Sequence, residues 1–345
     1  MKDLGIPAVL ITDILNVRWV SEGFTGSYGM VLVTADAHVF ISSSIYELQS
    51  RQQVSGFEII TFGTPKSAND VLREQFAEKG VREIAFEPTV SYSQVESWKS
   101  TFGDVSWVSA GELLPPLRMV KTPDEVEKIR RSCALTDACF EHVLKMSREG
   151  MVEYDLGLEI EFYFRRNGAG IAFDPIVVSG ANSAKPHGRP SEKKLEAGDF
   201  VTFDFGCTLD GYHSDMTRTI VVGDASPRHQ RIYELVLAAE VAGIEALVPG
   251  ANGKDADRIA REILDQDDLS KYFGHSLGHG LGRAVHDYGR LSVTADQPIE
   301  VGQVWTVEPG VYIDGFGGVR IEDDVHVTAN GPVVLNKAPK NLICV

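Results

Sequence analysis

The sequence predicts an α/β unit over residues 1–115 and a larger α+β unit over residues 116–345. Three observations carry this. β-prone runs alternate with helical stretches up to Val108. The segment Leu114-Pro115-Pro116-Leu117 then breaks the pattern, and beyond Gly168 strands and turns dominate. In the first unit the strands are Ala8–Ile11, Met30–Thr34, His38–Ser42, Phe57–Phe62, Glu83–Glu87 and Val105–Ser109, with helices over 68–79 and 92–101. Thr122-Pro123-Asp124-Glu125 is a helix start with proline in its first turn. The helix it opens, over 124–148, gathers Val126, Ile129, Cys133, Leu135, Ala138, Val143 and Leu144 on an apolar face. Further helices are expected over 153–167, 228–247 and 253–266. Val201–Phe205 and Met216–Val222 flank an Asp210-Gly211 turn and read as a β-hairpin.

Composition narrows the function. Of 345 residues, 43% are hydrophobic and 24% charged, as in ordinary globular proteins. The net charge of -16 and the absence of a long Lys/Arg block argue against a nucleic-acid or anionic-membrane partner and favour metal cations. Cys133, Cys139, Cys207 and Cys344 are too few and too scattered for a disulfide framework, which suits a reducing cytoplasm. Cys133 and Cys139 fall in helix packing. The start of the chain lacks a signal-peptide apolar core, and no 18-residue apolar run follows.

The predicted hairpin carries Asp204 and Asp215 on neighbouring strands, each acid set among apolar or β-prone residues. Burying two facing carboxylates is unfavourable, and a divalent cation turns their repulsion into coordination. Further donors follow in sequence. Phe273 to Gly282 is glycine-rich with His275 and His279 four apart; Thr306-Val307-Glu308-Pro309-Gly310 ends an apolar strand in a glutamate; Gly318 to Asp324 carries Glu322 after a glycine-rich turn. The last two segments read as a second hairpin. Four carboxylates with one imidazole form a hard, oxygen-rich set that favours Mn²⁺ or Co²⁺ over a thiolate zinc site. Two ions sharing bridging carboxylates would satisfy so many acids. Singly, Asp204 reads as a carboxylate near a turn and Glu308 as a strand end.

The ordered set Phe203-Asp204-Phe205-Gly206, Ser214 to Thr219, His275 to Gly282, Thr306 to Gly310 and Val319 to Asp323 resembles the pita-bread metallopeptidases, within them the Xaa-Pro branch of prolidase and aminopeptidase P. Asn16 to Val33 resembles that branch's small creatinase-like leading domain. The resemblance implies two divalent metal ions per chain, Mn²⁺ or Co²⁺ with Zn²⁺ as an alternative, held by Asp204, Asp215, His279, Glu308 and Glu322, with Asp215 and Glu322 bridging. It also implies that His187 and His286 act on the substrate, that Glu308 doubles as general base, and that Arg290 and Arg320 lie on the proline side of a peptide pocket. His275 is read as structural, Cys207 as a packed side chain, and His38, His142, His213, His229 and His326 as surface or loop residues. The resemblance further implies a homodimer.

Two departures bear on the substrate. Where many bacterial relatives carry an Asp and an Arg, this chain has Phe40 to Tyr46, FISSSIY. Arg283 stands where an apolar residue is usual, three before His286; either it anchors a substrate carboxylate, or it points outward or pairs with an acid such as Asp287. The expected function is hydrolysis of Xaa-Pro dipeptides. The alternatives are an Xaa-Pro aminopeptidase, carboxypeptidase-like trimming through Arg283, and a non-catalytic peptide-binding module. Retention of all five ligands argues against the last and against a metal-free creatinase; the leading unit argues against methionine aminopeptidase.

Overall fold

The computed structural model describes Met1, residues 5–111 and residues 113–345. The chain divides into two compact units, Met1–Pro116 and Leu117–Val345.

The first unit runs β1 (Ala8–Ile11), α1 (Ile14–Val20), β2 (Met30–Thr34), β3 (His38–Ser43), α2 (Glu47–Gln53), β4 (Glu58–Phe62), α3 (Ala68–Glu78), β5 (Glu83–Phe86), α4 (Tyr92–Thr101) and β6 (Ser106–Ser109). Its six-stranded sheet has the order β4-β3-β2-β1-β5-β6. β1 is central and buried throughout, because its alternate residues feed two cores. Ala8 and Leu10 pack with Leu72 and Phe76 of α3, whereas Val9 and Ile11 pack with Val17 of α1. The sequence reading misses α1 and α2, each of seven residues and too short to display a helical period. α1 is started by Asp13, whose side chain accepts from the backbone N–H groups of Leu15 and Asn16.

The chain passes through α5 (Leu114–Met119) into the second unit: α6 (Pro123–Met146), α7 (Glu153–Arg166), β7 (Gly170–Ile171), β8 (Ile176–Ser179), β9 (Phe200–Phe205), β10 (Cys207–Leu209), β11 (Tyr212–His213), β12 (Met216–Val221), α8 (Pro227–Glu245), α9 (Gly253–Leu264), β13 (Gly278–Gly280), β14 (Asp287–Leu291), β15 (Val304–Val307), β16 (Gly310–Ile313), β17 (Gly317–Arg320), β18 (Asp323–Thr328) and β19 (Gly331–Val334). Thr122 and Glu125 form a reciprocal cap at the start of α6. The Asp210-Gly211 turn has φ of 52° and 77°, the left-handed pair a tight hairpin demands. Around it β10 and β11 make a small hairpin set between the longer strands β9 and β12, which pair from Phe200↔Val221 to Phe205↔Met216.

Two antiparallel sheets, β12-β9-β8 and β14-β13-β15-β18-β19, each back onto a helix pair. Val201, Phe203 and Phe205 of β9 pack with Phe140, Ile160 and Phe164 of α6 and α7. Trp305 and Val307 of β15 pack with Val236, Ala239 and Ala260 of α8 and α9. Each such side chain contributes about 1.5–3 kcal/mol on burial, so the apolar alternates dictate which face meets the helices. The remaining alternates, Thr202, Asp204, Thr306 and Glu308, are thereby turned to the opposite face. His229, expected at the surface, is 7% exposed: it closes a cap with Ser226 and stacks on Phe316. Among the described residues no helix is long and apolar enough to cross a membrane.

Candidate metal centre and active site

Register explains how residues far apart in sequence meet. Asp204 pairs with Thr217, so Asp215, two residues before Thr217, is its diagonal neighbour on the same face. Val307 pairs with Asp323 and Gly310 with Arg320. That common register sets Glu308 opposite Glu322, each in the short break where one strand pairing hands over to the next. Thr217 joins the two hairpins. Its carbonyl accepts from Glu322 N–H at 3.1 Å, and its hydroxyl donates to Glu322 Oε2 at 2.6 Å.

His279 arrives on β13, held between β14 and β15. A Cβ on Gly278 would fall 1.9 Å from Thr306 O and one on Gly280 2.0 Å from Tyr288 O, so only glycine fits on either side of the histidine. Nδ1 lies 3.0 Å from Gly280 O and donates to it, which leaves Nε2 as the free lone pair. Nε2 stands 3.6 Å from both Asp215 Oδ2 and Glu308 Oε1, longer than a hydrogen bond. Burial, reinforced by His286, lowers the imidazole pKa to about 4 and keeps it neutral. Ligand atoms of Asp215, His279 and Glu322 lie within 4.8 Å of one another.

The electrostatics of the centre call for cations. Burial first, then the neighbouring carboxylates, pushes Asp215 and Glu322 well above the usual carboxylate range. Burial raises Glu308 to about 8. Asp204 Oδ1 is buried without a hydrogen-bond partner among the described residues. Such a set is unfavourable as bare anions and well suited to divalent ions, whose charge reverses each of these effects. The residues therefore fit a metal centre.

A cavity of 350 Å³ opens on these groups and is also lined by His187, His275, His286, Arg290 and Arg320. His187 is exposed on a loop, and the ring of His286 rests 4.3 Å from that of His279. Arg290 is the register partner of His279. Arg320 lines the cavity, yet protein acceptors engage it. It donates to Asp204 Oδ2 at 2.5 Å, Thr217 Oγ1 at 3.0 Å, Tyr312 Oη at 2.6 Å and Pro186 O at 3.3 Å. Its geometry is that of a brace for Asp204 rather than of a free anchor for substrate.

Arg283 lies elsewhere. Its guanidinium carbon sits 4.6 Å from the Tyr212 ring centroid and Nε donates to Tyr212 Oη at 3.2 Å, and it does not line the cavity. Asp287 is taken by Arg118, 2.8 Å away. None of the expectations for Arg283, a carboxylate anchor, an outward-pointing side chain or a partner of Asp287, is met: it is 9% exposed and its guanidinium lies over the aromatic face of Tyr212. Cys207 is fully buried, its thiol 3.4 Å from Ser132 O.

His275, read as structural, is held in a hydrogen-bonded wall, and sequence reasoning missed its partner Tyr312. Burial and then Arg320 lower His275 to about 4, so the ring is neutral. Nδ1 donates to Ser276 O at 2.9 Å and Nε2 accepts from the Tyr312 hydroxyl at 2.8 Å, extending the chain Arg320–Tyr312–His275 along one wall. The signal for Tyr312 was present: Glu308, Gly310 and Tyr312 alternate at a period of two and share a face.

Comparison with known proteins agrees with this geometry. Residues 127–329 match metallopeptidase family M24, and residues 1–120 match the creatinase/prolidase N-terminal domain. The chain is 35% identical to an Xaa-Pro dipeptidase of Pyrococcus furiosus, over 99% of this chain and 97% of that one. A solved Xaa-Pro dipeptidase from Bacillus anthracis superposes with a TM-score of 0.95 at 39% identity, over 100% and 96% of the two chains. A solved X-Pro aminopeptidase from Thermotoga maritima superposes with a TM-score of 0.93 at 34% identity, over 100% and 99%. With both domains matched in order and the relatives covered almost end to end, the chain belongs to metallopeptidase family M24 and has the pita-bread fold behind a creatinase-type leading domain.

Proposed function

We propose that this metallopeptidase hydrolyses the bond before proline, with Xaa-Pro dipeptides as the simplest substrates, at a centre of two divalent metal ions. The observation that carries the reading is the convergence of four carboxylates and one neutral imidazole on a single cavity rimmed by His187, His286 and Arg290. Similarity to proteins named Xaa-Pro dipeptidase and X-Pro aminopeptidase supports the proline preference.

Asp204, Asp215, His279, Glu308 and Glu322 would hold the ions, Mn²⁺ or Co²⁺ first and Zn²⁺ as the alternative, with Asp215 and Glu322 shared between them. Bound there, divalent ions supply Lewis acidity and lower the pKa of water. The protein's own groups do the rest. Glu308 accepts the proton of the attacking water. His187, on its exposed loop, donates to the scissile carbonyl as negative charge develops, and the proton that Glu308 took from the water passes through it to the departing proline nitrogen. His286, beside His279, shapes the same wall. Arg290 supplies the cation for the substrate's carboxylate, while Arg320 orients Asp204 and is a positioning residue.

A homodimer is part of the proposal, supported by apolar side chains left exposed on the leading unit, Ile45 at 78%, Leu48 at 70% and Tyr92 at 78%. A cytoplasmic address is supported by four free cysteines.

The test is a panel of Xaa-Pro dipeptides, Xaa-Pro-Yaa peptides and proline-free peptides, with product masses recorded. Release of the residue before proline is expected. Equal cleavage of proline-free peptides overturns the proline reading.

A further inference from the structure

The loop that carries His187 is fastened at both feet by one buried acid. Glu153, in the first turn of α7, is fully buried, and among the described residues no lysine, arginine or histidine forms an ion pair with it. Its Oε1 accepts from the N–H and the hydroxyl of Ser179 at 2.6 and 2.7 Å, and its Oε2 from the N–H and the hydroxyl of Ser191 at 3.1 and 2.6 Å. Ser179 ends β8, where it pairs with Val201 of the strand that bears Asp204. Ser191 lies on the far side of His187. Bonds run the other way as well: α7 has no side-chain cap, and the N–H groups of Glu153 and Tyr154 donate to Lys193 O at 3.0 Å and Ser191 O at 3.1 Å. Between the feet, Ser183 Oγ accepts from Gly318 N–H at 2.8 Å, and Pro186 O, immediately before His187, accepts from Arg320 at 3.3 Å. The His187 side chain is exposed and among the described residues no hydrogen bond holds it, so the backbone sets its place. A buried carboxylate without a counter-ion is unfavourable, and four donors from two segments are what offsets it here.

We propose that Glu153 is a positioning residue for the reaction, clamping the two feet of the loop so that the His187 imidazole is presented to the scissile carbonyl. The inference rests on the role given to His187 above and extends it to a residue that does not line the metal cavity. The clamp is particular to a carboxylate, which offers acceptors only. Glutamine keeps the shape but replaces one oxygen by an NH2 group. A serine hydroxyl can turn round to accept from that group, whereas the backbone N–H beside it cannot. One foot is then left unsatisfied and shifts. A displacement of about 1 Å at a reacting group can cost about 10² in rate, so turnover falls without the loop unfolding.

The experiment measures Ala-Pro kinetics, bound metal and backbone amide exchange for the wild type, Glu153→Gln and Ser191→Ala, with the kinetics repeated in a His187→Ala background. Glu153→Gln should bind as much metal as the wild type, keep KM within about twofold and lose roughly 10- to 100-fold in kcat. Amide exchange should quicken over residues 180–191 and stay unchanged in β9. Added to His187→Ala, the same substitution should cost less than about twofold, because the group it positions is already gone. Ser191→Ala removes one hydroxyl donor and keeps the N–H bond; it should show the same pattern at smaller size, and it decides the matter if Glu153→Gln does not fold. Equal fold-losses in the two backgrounds would make Glu153 a general support of the fold and overturn the inference. So would an unchanged kcat, or a loss of metal that accounts for the drop. A wild type inactive on every Xaa-Pro peptide would overturn the peptidase reading instead. Exchange over 180–191 then still decides the clamp, and unchanged exchange there overturns it.

Discussion

Asp215 and Glu322 are the residues whose loss the centre should tolerate least, since each is buried, each is flanked by other carboxylates, and each is proposed to serve both ions. Asp215→Ala or Glu322→Ala should lower bound metal and abolish turnover, checked by elemental analysis of the purified variants beside an activity assay. Two metals per chain with full turnover in either variant would remove the bridging assignment. His187 makes the opposite prediction. It stands in a loop outside the ligand set, so His187→Ala should bind metal normally and lose about 10² to 10⁴ in rate, the usual contribution of a positioned acid or base. An unchanged kcat would reduce its Pro-His-Gly turn to a conformational device. At this scale the candidate ligands were legible because each sits in its own short motif. The captor of Arg283 was not, since Tyr212 is 71 residues away and only the folded hairpin lays its ring against the guanidinium.

At the scale of elements, the two hairpins were readable from apolar alternation and from the Asp210-Gly211 turn. Their mutual approach was not, because the bonds joining Thr217 to Glu322 and Thr219 to Arg320 span more than a hundred residues and leave no local period. The link between α5 and α6 holds a side chain that sequence did not single out. Lys121 is 6% exposed and its Nζ has no hydrogen-bond partner among the described residues. Burial pushes this ammonium down to about 8, against the attraction of Asp287. A lysine whose folded pKa lies below its unfolded one weakens the fold by a constant amount below that folded value, and the penalty shrinks as pH rises from about 8 towards the unfolded pKa near 10.5. Lys121→Met should therefore raise stability at pH 7 by about 1–3 kcal/mol, an advantage that fades as pH approaches 10. Denaturant unfolding of the two proteins at pH 7 and pH 9.5 reads this. A variant less stable than the wild type at pH 7 would show that the amine makes a stabilising contact in the fold.

For the whole molecule, the division into an α/β leading unit and a larger α+β unit was legible from pattern alone, and the backing of each antiparallel sheet by a helix pair follows from strands whose apolar alternates face one way. Light scattering at micromolar concentration should give twice the 37.8 kDa chain mass; a single-chain mass contradicts the dimer. The centre predicts a further global effect. Four carboxylates drawn into one buried cavity repel one another, so removing metal should lower Tm and restoring it should recover the loss, the gain following ligand linkage. The most direct measurement of the central claim is a titration of Mn²⁺ or Co²⁺ into chelator-stripped enzyme, followed by the release of alanine from Ala-Pro. With a dinuclear centre, the stripped protein shows no turnover and activity rises and levels off at two equivalents per chain. Full activity in the presence of chelator, with no metal bound, would contradict it.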